Sequence, residues 1–399
     1  MLQFQSSFGT HYNPIRTIKL EGTAQSYSHN EIEPTGEVGT RFSLKTQTAN
    51  ATARTQFGRA AGALGLQGIF RQYQPEGDEA FTPGADNNNV AAFIYQEVPL
   101  SRGDVEDQSP RLQLGARYDR LSIATRPDDA TAIARFGAAQ TREYNNLAGS
   151  IGLSIPVATA VSITANASRG FRAPTVEELF ANGFHAAAGT FDVGNRDLRP
   201  EKSTGLEAGV RAERSGTFAQ LNAYYNLINN YIRPVTVGMT DVDGDSVPLV
   251  HYSQDDAALY GFEGQVETRL AYQLVGGVMG DLTRAKMRDT KEALPYIPAA
   301  RLGASLRFDN GRQSFGGEAR RVFAQSRVSG DPLDVETAAY SIVNVNATWL
   351  FTVRGRTVHS LTIRVDNLLD EAYRDATSRI KSFTFNPGRN LSAVYRLVF

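Results

Sequence analysis

Apolar and polar residues alternate with a period of two over much of this chain. From Tyr260 to Tyr272 the even positions are Tyr260, Phe262, Gly264, Val266, Thr268, Leu270 and Tyr272, while the odd ones include Glu263, Gln265, Glu267 and Arg269. Leu302, Ala304, Leu306 and Phe308 alternate in the same way with Arg301, Gly303, Ser305, Arg307 and Asp309. So do Val343, Val345, Ala347, Trp349, Phe351 and Val353 with Asn344, Asn346, Thr348, Thr352 and Arg354, and the pattern returns at 111–119, 161–169, 206–213 and 219–227. Successive side chains of a strand point to opposite faces, so each segment predicts a strand with one greasy face and one wet one. Helical spacing fits none of them.

About seventeen strands are predicted on this reading, near 1–10, 15–29, 38–57, 60–73, 88–99, 110–123, 143–156, 159–170, 203–214, 217–231, 257–272, 275–288, 298–309, 312–325, 338–353, 356–369 and 389–399. Most exceed the roughly 5–6 residues usual in soluble sheets and reach the roughly 9–11 that a tilted strand needs to cross a bilayer. The connections alternate in length. Tight ones fall near Gly58-Arg59, Val157-Ala158, Ser215-Gly216, Gln273-Leu274, Asn310-Gly311 and Gly355; long ones fall near 74–87, 124–142, 171–202, 232–256, 326–337 and 370–388. Short turns on one rim and long loops on the other are the habit of outer-membrane barrels. Hydrocarbon offers no hydrogen-bond partner, so a sheet that crosses it must close on itself. The expected fold is an all-β, transmembrane antiparallel barrel, with apolar alternate residues against lipid.

Composition narrows the chemistry. Lys and Arg total 41 against 42 Asp and Glu, a formal charge of −1 that gives no reason to expect a nucleic-acid partner. With no Cys, disulfides, thiolate zinc sites and cysteine nucleophiles are excluded. No run approaches the roughly 18 apolar residues of a membrane helix. The start, Met1-Leu2-Gln3-Phe4, carries no basic, apolar and small-residue succession of a secretory signal and already reads as strand, so the chain is expected to be the C-terminal part of something longer.

The stretch Ser168-Arg169-Gly170-Phe171-Arg172-Ala173-Pro174-Thr175-Val176-Glu177-Glu178-Leu179-Phe180, with Gly194-Asn195-Arg196-Asp197-Leu198-Arg199-Pro200-Glu201-Lys202-Ser203 after it, resembles TonB-dependent outer-membrane receptors. Asn367-Leu368-Leu369-Asp370-Glu371-Ala372-Tyr373 and Pro387-Gly388-Arg389 resemble that family's C-terminal pattern, and the segments 31–42 and 182–195 more faintly resemble its zinc- and haem-type members. The resemblance covers essentially residues 1–399 and implies a barrel of about 22 strands, of which about seventeen are present, with the plug domain absent. It implies a receptor for a metal chelate, such as a siderophore, haem or zinc. Its partners would be outer-membrane lipid, the chelate, and the TonB energy-coupling complex reached through the missing plug. The terminal ladder of Leu391, Ala393, Tyr395, Leu397 and Phe399 resembles the signal read by barrel-insertion machinery, which would put the C-terminus in the periplasm and the long loops, chiefly 171–202 and 232–256, outside. A passive pore, an outer-membrane enzyme and a non-functional barrel remnant are the alternatives.

Candidate contacts lie on those two loops. His185 stands near Asp192 and Asp197, and imidazole with carboxylate suits zinc or iron. His251 precedes Asp255 and Asp256 on the second loop, and Arg172 belongs to the charged part of the family-like segment beside Arg169, Glu177 and Glu178. Asp241, Asp243 and Asp245 resemble a calcium loop, although the glycine falls at its fourth position and Tyr252 stands where an EF-hand needs Glu; an acidic turn is the competing account. Arg301, Arg307, Glu263, Glu267 and Arg269 could line a solute path or simply furnish a wet interior. No nucleophile, base and acid come together: the five His, at 11, 29, 185, 251 and 359, are scattered, and His359 and Ser360 fall on opposite faces. No resident cofactor and no enzymatic activity are expected.

Overall fold

The computed structural model describes residues 1–398 apart from 11–13, 33–35, 78, 102–108 and 354–356. The sequence-based expectations for His11, Gly355 and Phe399 therefore lie outside the described residues. Nineteen strands form one sheet. They are β1 (Leu2–Gly9), β2 (Ile15–Ile32), β3 (Val38–Phe57), β4 (Ala60–Glu76), β5 (Gly84–Pro99), β6 (Arg111–Arg126), β7 (Thr141–Ala158), β8 (Val161–Arg172), β9 (Asn182–His185) and β10 (Thr190–Val193). There follow β11 (Glu201–Arg214), β12 (Thr217–Val242), β13 (Asp245–Ala271), β14 (Leu274–Met287), β15 (Arg301–Asp309), β16 (Gln313–Val322), β17 (Tyr340–Val353), β18 (Thr357–Asp366) and β19 (Asn390–Val398). Two short helices, α1 (Ala130–Phe136) and α2 (Val176–Phe180), sit in connections. No helix among the described residues is long and apolar enough to cross a membrane.

Seventeen of these strands match the expected ones. The other two, β9 and β10, form a small hairpin inside the 171–202 connection, which is a folded insert rather than an open loop. The second long loop is corrected outright. Residues 232–256 are not a loop: β12 runs 26 residues and β13 runs 27, and they meet at Asp243-Gly244. Both turn residues have positive φ, 53° and 91°, the twist that a two-residue hairpin requires. Ser215-Gly216 repeats the geometry between β11 and β12, with φ of 51° and 82°. Pro234 and Pro248 argue against strand in the sequence, because Pro lacks the amide proton a ladder uses. Here both are accommodated within the extended pair. Asn230, with φ of 57°, interrupts β12 close to where the expected strand stopped, and its amide donates to Asp256 Oδ1 at 3.1 Å.

The chain divides into two compact units. The first comprises Met1–Ile155, Ala165–Leu206 and Asn226–Ala257. Within it, β1 to β7 pair antiparallel with each sequence neighbour, and Phe57 faces Ala60 across the Gly58-Arg59 turn. One face of these strands exposes Leu66, Val90, Ile94, Leu114, Leu147 and Ile151. The other carries a polar ladder that runs across four strands. Gln67 donates to Asn50 at 3.1 Å, Arg117 to Gln67 and Asp119 at 2.8 Å, and Asn89 to Asp119 at 3.1 Å. An apolar surface of this extent is untenable in water and is what lipid solvates.

The second unit comprises Pro156–Thr164, Glu207–Tyr225 and Ala258–Phe399. Its outward face exposes Phe262, Val266, Leu270, Val278, Leu302 and Leu306. Phe308 stacks on Phe315, which meets Trp349 edge-on. On the opposite face, a recess of about 290 Å³ is lined by Tyr224, Glu263, Asp281, Thr283 and Arg301. In it Arg301 Nε donates to both Asp281 oxygens at 2.9 and 3.1 Å, and Asn222 Nδ2 donates to Glu263 Oε1 at 3.3 Å; outside its lining, Arg307 lies 3.7 Å from Glu267.

Candidate functional site

The 171–202 insert is built around an ion triangle whose two carboxylates are largely buried and whose Arg172 is partly exposed. Arg172, the last residue of β8, donates through Nη1 to both oxygens of Glu178, at 3.0 and 2.9 Å, and through Nη2 to Glu201 Oε1 at 2.6 Å. Glu201 Oε1 also accepts the Ile232 amide at 2.8 Å. The guanidinium thus ties the exit of one strand, helix α2 and the entry of the next strand together. These bonds give Arg172 a shaping role in the insert, while 40% of its side-chain surface stays exposed. Helix α2 begins with a reciprocal cap, in which Thr175 Oγ1 accepts the Glu178 amide while Glu178 Oε2 accepts the Thr175 amide. Its Val176, Leu179 and Phe180 are buried with Ala85, Ile123, Leu198, Ile232 and Tyr252.

On this base stands the β9–β10 hairpin. His185 ends β9 opposite Thr190, and Asp192 lies two residues further along β10. Its other edge pairs in parallel with β13, Asp192 opposite Val250 and Val193 opposite His251. Asp192 has no solvent exposure, and its Oδ2 lies 3.2 Å from His185 Nδ1. Thr190 Oγ1 donates to Asp192 Oδ1 at 2.6 Å. Phe81 stacks on the imidazole at 4.4 Å between centroids and 11° between planes. The His185 side chain keeps 26% of its surface exposed. The arrangement is a partly exposed histidine held at Nδ1 by Asp192 and on one ring face by Phe81.

The remaining sequence candidates do not join it. Asp192 and Val250 share the buried face of the β10–β13 pair, so His251, one position on, falls on the opposite, exposed face. Asp241, Asp243 and Asp245 straddle the two-residue hairpin tip, where Asp241 Oδ1 accepts the Gly244 amide at 3.2 Å. That is an acidic turn, and among the described residues no group of three or more His, Asp or Glu is placed to hold a bare ion. Sequence reading missed Phe81 and Thr190. Phe81 lies in a different connection, and nothing in its spacing announces a ring stacked on His185.

A second charged cluster also escaped the sequence reading. Lys381 and Asp334 are both buried, their ion pair measures 2.5 Å, and Lys381 Nζ also donates to the Ala376 carbonyl at 2.8 Å. Asp334 further accepts the Ser329 amide at 2.7 Å and the Tyr296 amide at 3.3 Å. Three connections, 288–300, 323–339 and 367–389, are knotted here. Burial, reinforced by Asp331, pushes the Tyr296 hydroxyl up to about 12.

A family model described as TonB dependent receptor-like, beta-barrel, matches residues 2–368. The heme/hemopexin utilization protein C of Haemophilus influenzae strain Rd is 26% identical over 344 residues, covering 78% of this chain and 44% of its own length. The ferrienterobactin receptor of Escherichia coli K12 is 24% identical over 249 residues, 57% of this chain and 32% of that protein. The chain thus spans less than half the length of these curated relatives. Among solved structures, a copper transporter, OprC, superposes with a TM-score of 0.77 at 18% identity, covering 98% of this chain and 64% of that one. The FrpB iron transporter of Neisseria meningitidis does so with 0.69 at 13% identity, covering 99% and 64%. Such identities speak to the fold, a transmembrane barrel. Barrels of this family are outer-membrane receptors and transporters, not enzymes. With the period-two strands, the greasy outer face and the match over residues 2–368, the chain belongs to the TonB-dependent receptor β-barrel family.

Proposed function

We propose that this chain is the barrel of an outer-membrane receptor that takes up a chelated metal under TonB coupling, and that its cargo is a metalloporphyrin such as haem. The observation that carries the reading is His185, a partly exposed imidazole anchored at Nδ1 by Asp192, with no group of three or more His, Asp or Glu among the described residues placed to hold a bare ion. A bare zinc or copper ion needs three or four protein donors. A ferric catecholate already fills its six positions. A metalloporphyrin supplies four donors in a plane and leaves an axial position that one histidine can fill. The naming of a heme/hemopexin utilization protein among the relatives supports the same choice. In this reading the β9–β10 hairpin and the extended β12–β13 pair face outside, and the C-terminus lies in the periplasm.

The test is haem titration of the detergent-solubilised receptor. The expected outcome is a histidine-ligated Soret band that His185→Ala abolishes, with affinity falling at least about tenfold, as loss of a metal-ligand interaction predicts. A variant that keeps the same band and affinity, or a protein that binds ferric enterobactin in preference to haem, would refute the porphyrin cargo.

A further inference from the structure

The environment of His185 is more elaborate than docking a ring requires. Asp192 sits between two ladders, antiparallel to β9 and parallel to β13, so its backbone cannot shift without breaking both. Its carboxylate is removed from solvent, accepts from Thr190 on one oxygen, and meets His185 Nδ1 with the other. A carboxylate only accepts hydrogen bonds, so the imidazole proton resides on Nδ1 and the lone pair on Nε2. Because the Asp192 carboxylate is itself fully buried, its field at the ring is screened less than that of a surface carboxylate. The Nδ1 proton is drawn toward Oδ2, and the ring gains anionic character that it passes to any metal on Nε2. Electron donation of this kind stabilises the higher oxidation state of an iron porphyrin.

We propose that Asp192, tuned by Thr190, makes this site selective for the ferric over the ferrous state of its porphyrin cargo. The proposal rests on the porphyrin reading above and adds a specificity that the family match does not contain. Asp192 is here a positioning residue that acts through His185. Thr190 works against it, because its hydroxyl withdraws charge from the same carboxylate. Phe81 keeps the ring plane fixed while both act.

The experiment measures dissociation constants of the solubilised receptor for ferric haem and for dithionite-reduced haem, in wild type, Asp192→Asn, Thr190→Val and His185→Ala, with strand circular dichroism as the folding check. Wild type is expected to hold the ferric form more tightly. Asp192→Asn should reduce the ferric-to-ferrous preference about tenfold, equivalent to a midpoint potential about 59 mV higher for the bound haem, and lower the iron–histidine stretch of the ferrous complex. Thr190→Val should move the preference the other way, and it carries the test alone if Asp192→Asn does not fold. A purely structural Asp192 would weaken both states equally and leave the ratio unchanged, which overturns the proposal. Should His185→Ala retain the wild-type iron–histidine signature, the porphyrin reading at His185 fails instead. Loss of that signature in His185→Ala beside unchanged ratios in the other two variants sinks only the oxidation-state proposal.

Discussion

At the scale of single residues, the insert that carries His185 depends on one close backbone approach. A Cβ added at Gly194 would lie 2.5 Å from the Phe180 nitrogen, 2.6 Å from the Leu179 carbonyl carbon and 2.7 Å from the Ala181 nitrogen, all backbone atoms that cannot rotate away. Gly194→Ala is therefore expected to push α2 off the strand behind it, at a cost of about 1–3 kcal/mol. Thr175→Ala, which removes only the cap, should cost about 1 kcal/mol. Proteolysis within 175–195 and haem affinity measured on the same samples check both, and equal behaviour of Gly194→Ala and wild type would contradict the packing. The sequence already marked Gly194-Asn195 and Thr175 through Phe180 as family-like segments, and it singled out His185 with Asp192. What it could not show was their physical purpose. The clash at Gly194, the stacking of Phe81 and the seating of Thr190 on Asp192 are contacts between distant stretches, and no local pattern encodes them. Arg172 adds a tie of the same kind: its charge drew attention as a possible contact, and the fold also pairs it with Glu178 and Glu201 from other parts of the insert.

Elements tell a similar story of strong periodicity and weak punctuation. The seventeen expected strands all form, because alternation is imposed along their whole length by lipid on one side and polar groups on the other. The failures sit where that pressure stops. Beyond Tyr231 the sequence reading places a long loop at 232–256, yet the chain continues as paired strand to Val242. The β9 and β10 strands are four residues each, too short for a period to register. The Lys381–Asp334 knot was invisible for another reason: a buried ion pair looks like two surface charges until the loops around it are folded. Removing one partner leaves the other charge unpaired in a dry site, so Lys381→Met is expected to cost about 3–5 kcal/mol of local stability. Lys381→Met combined with Asp334→Leu should recover most of that loss. Hydrogen exchange of the 323–339 and 367–389 amides is the measurement, and a double variant as labile as the single one would show that the pair is not the element that fixes these connections.

For the whole molecule, the distribution of apolar surface sets where the protein can exist. On β7, Leu147, Ile151 and Val157 are exposed on one face while Asn146 and Gly152 are buried on the other. Leu147→Arg should lower the stability of the lipid-inserted barrel by about 2–4 kcal/mol, the cost of a cation near the bilayer midplane, while Ser154→Asn on the polar face should be nearly neutral. Urea titration in lipid vesicles would decide it: similar midpoints for the two variants would mean that β7 does not present this face to hydrocarbon. The same two-faced rule extends into the long β12–β13 pair, and there its two-residue tip has an evolutionary corollary. With no slack at Asp243-Gly244, a single inserted or deleted residue in either arm slips the register and exchanges every inward side chain for an outward one. Lineages that lengthen or shorten this antenna are thus held to changes matched across both arms or made in steps of two, and a natural variant with one unpaired extra residue should carry a bulge to absorb it.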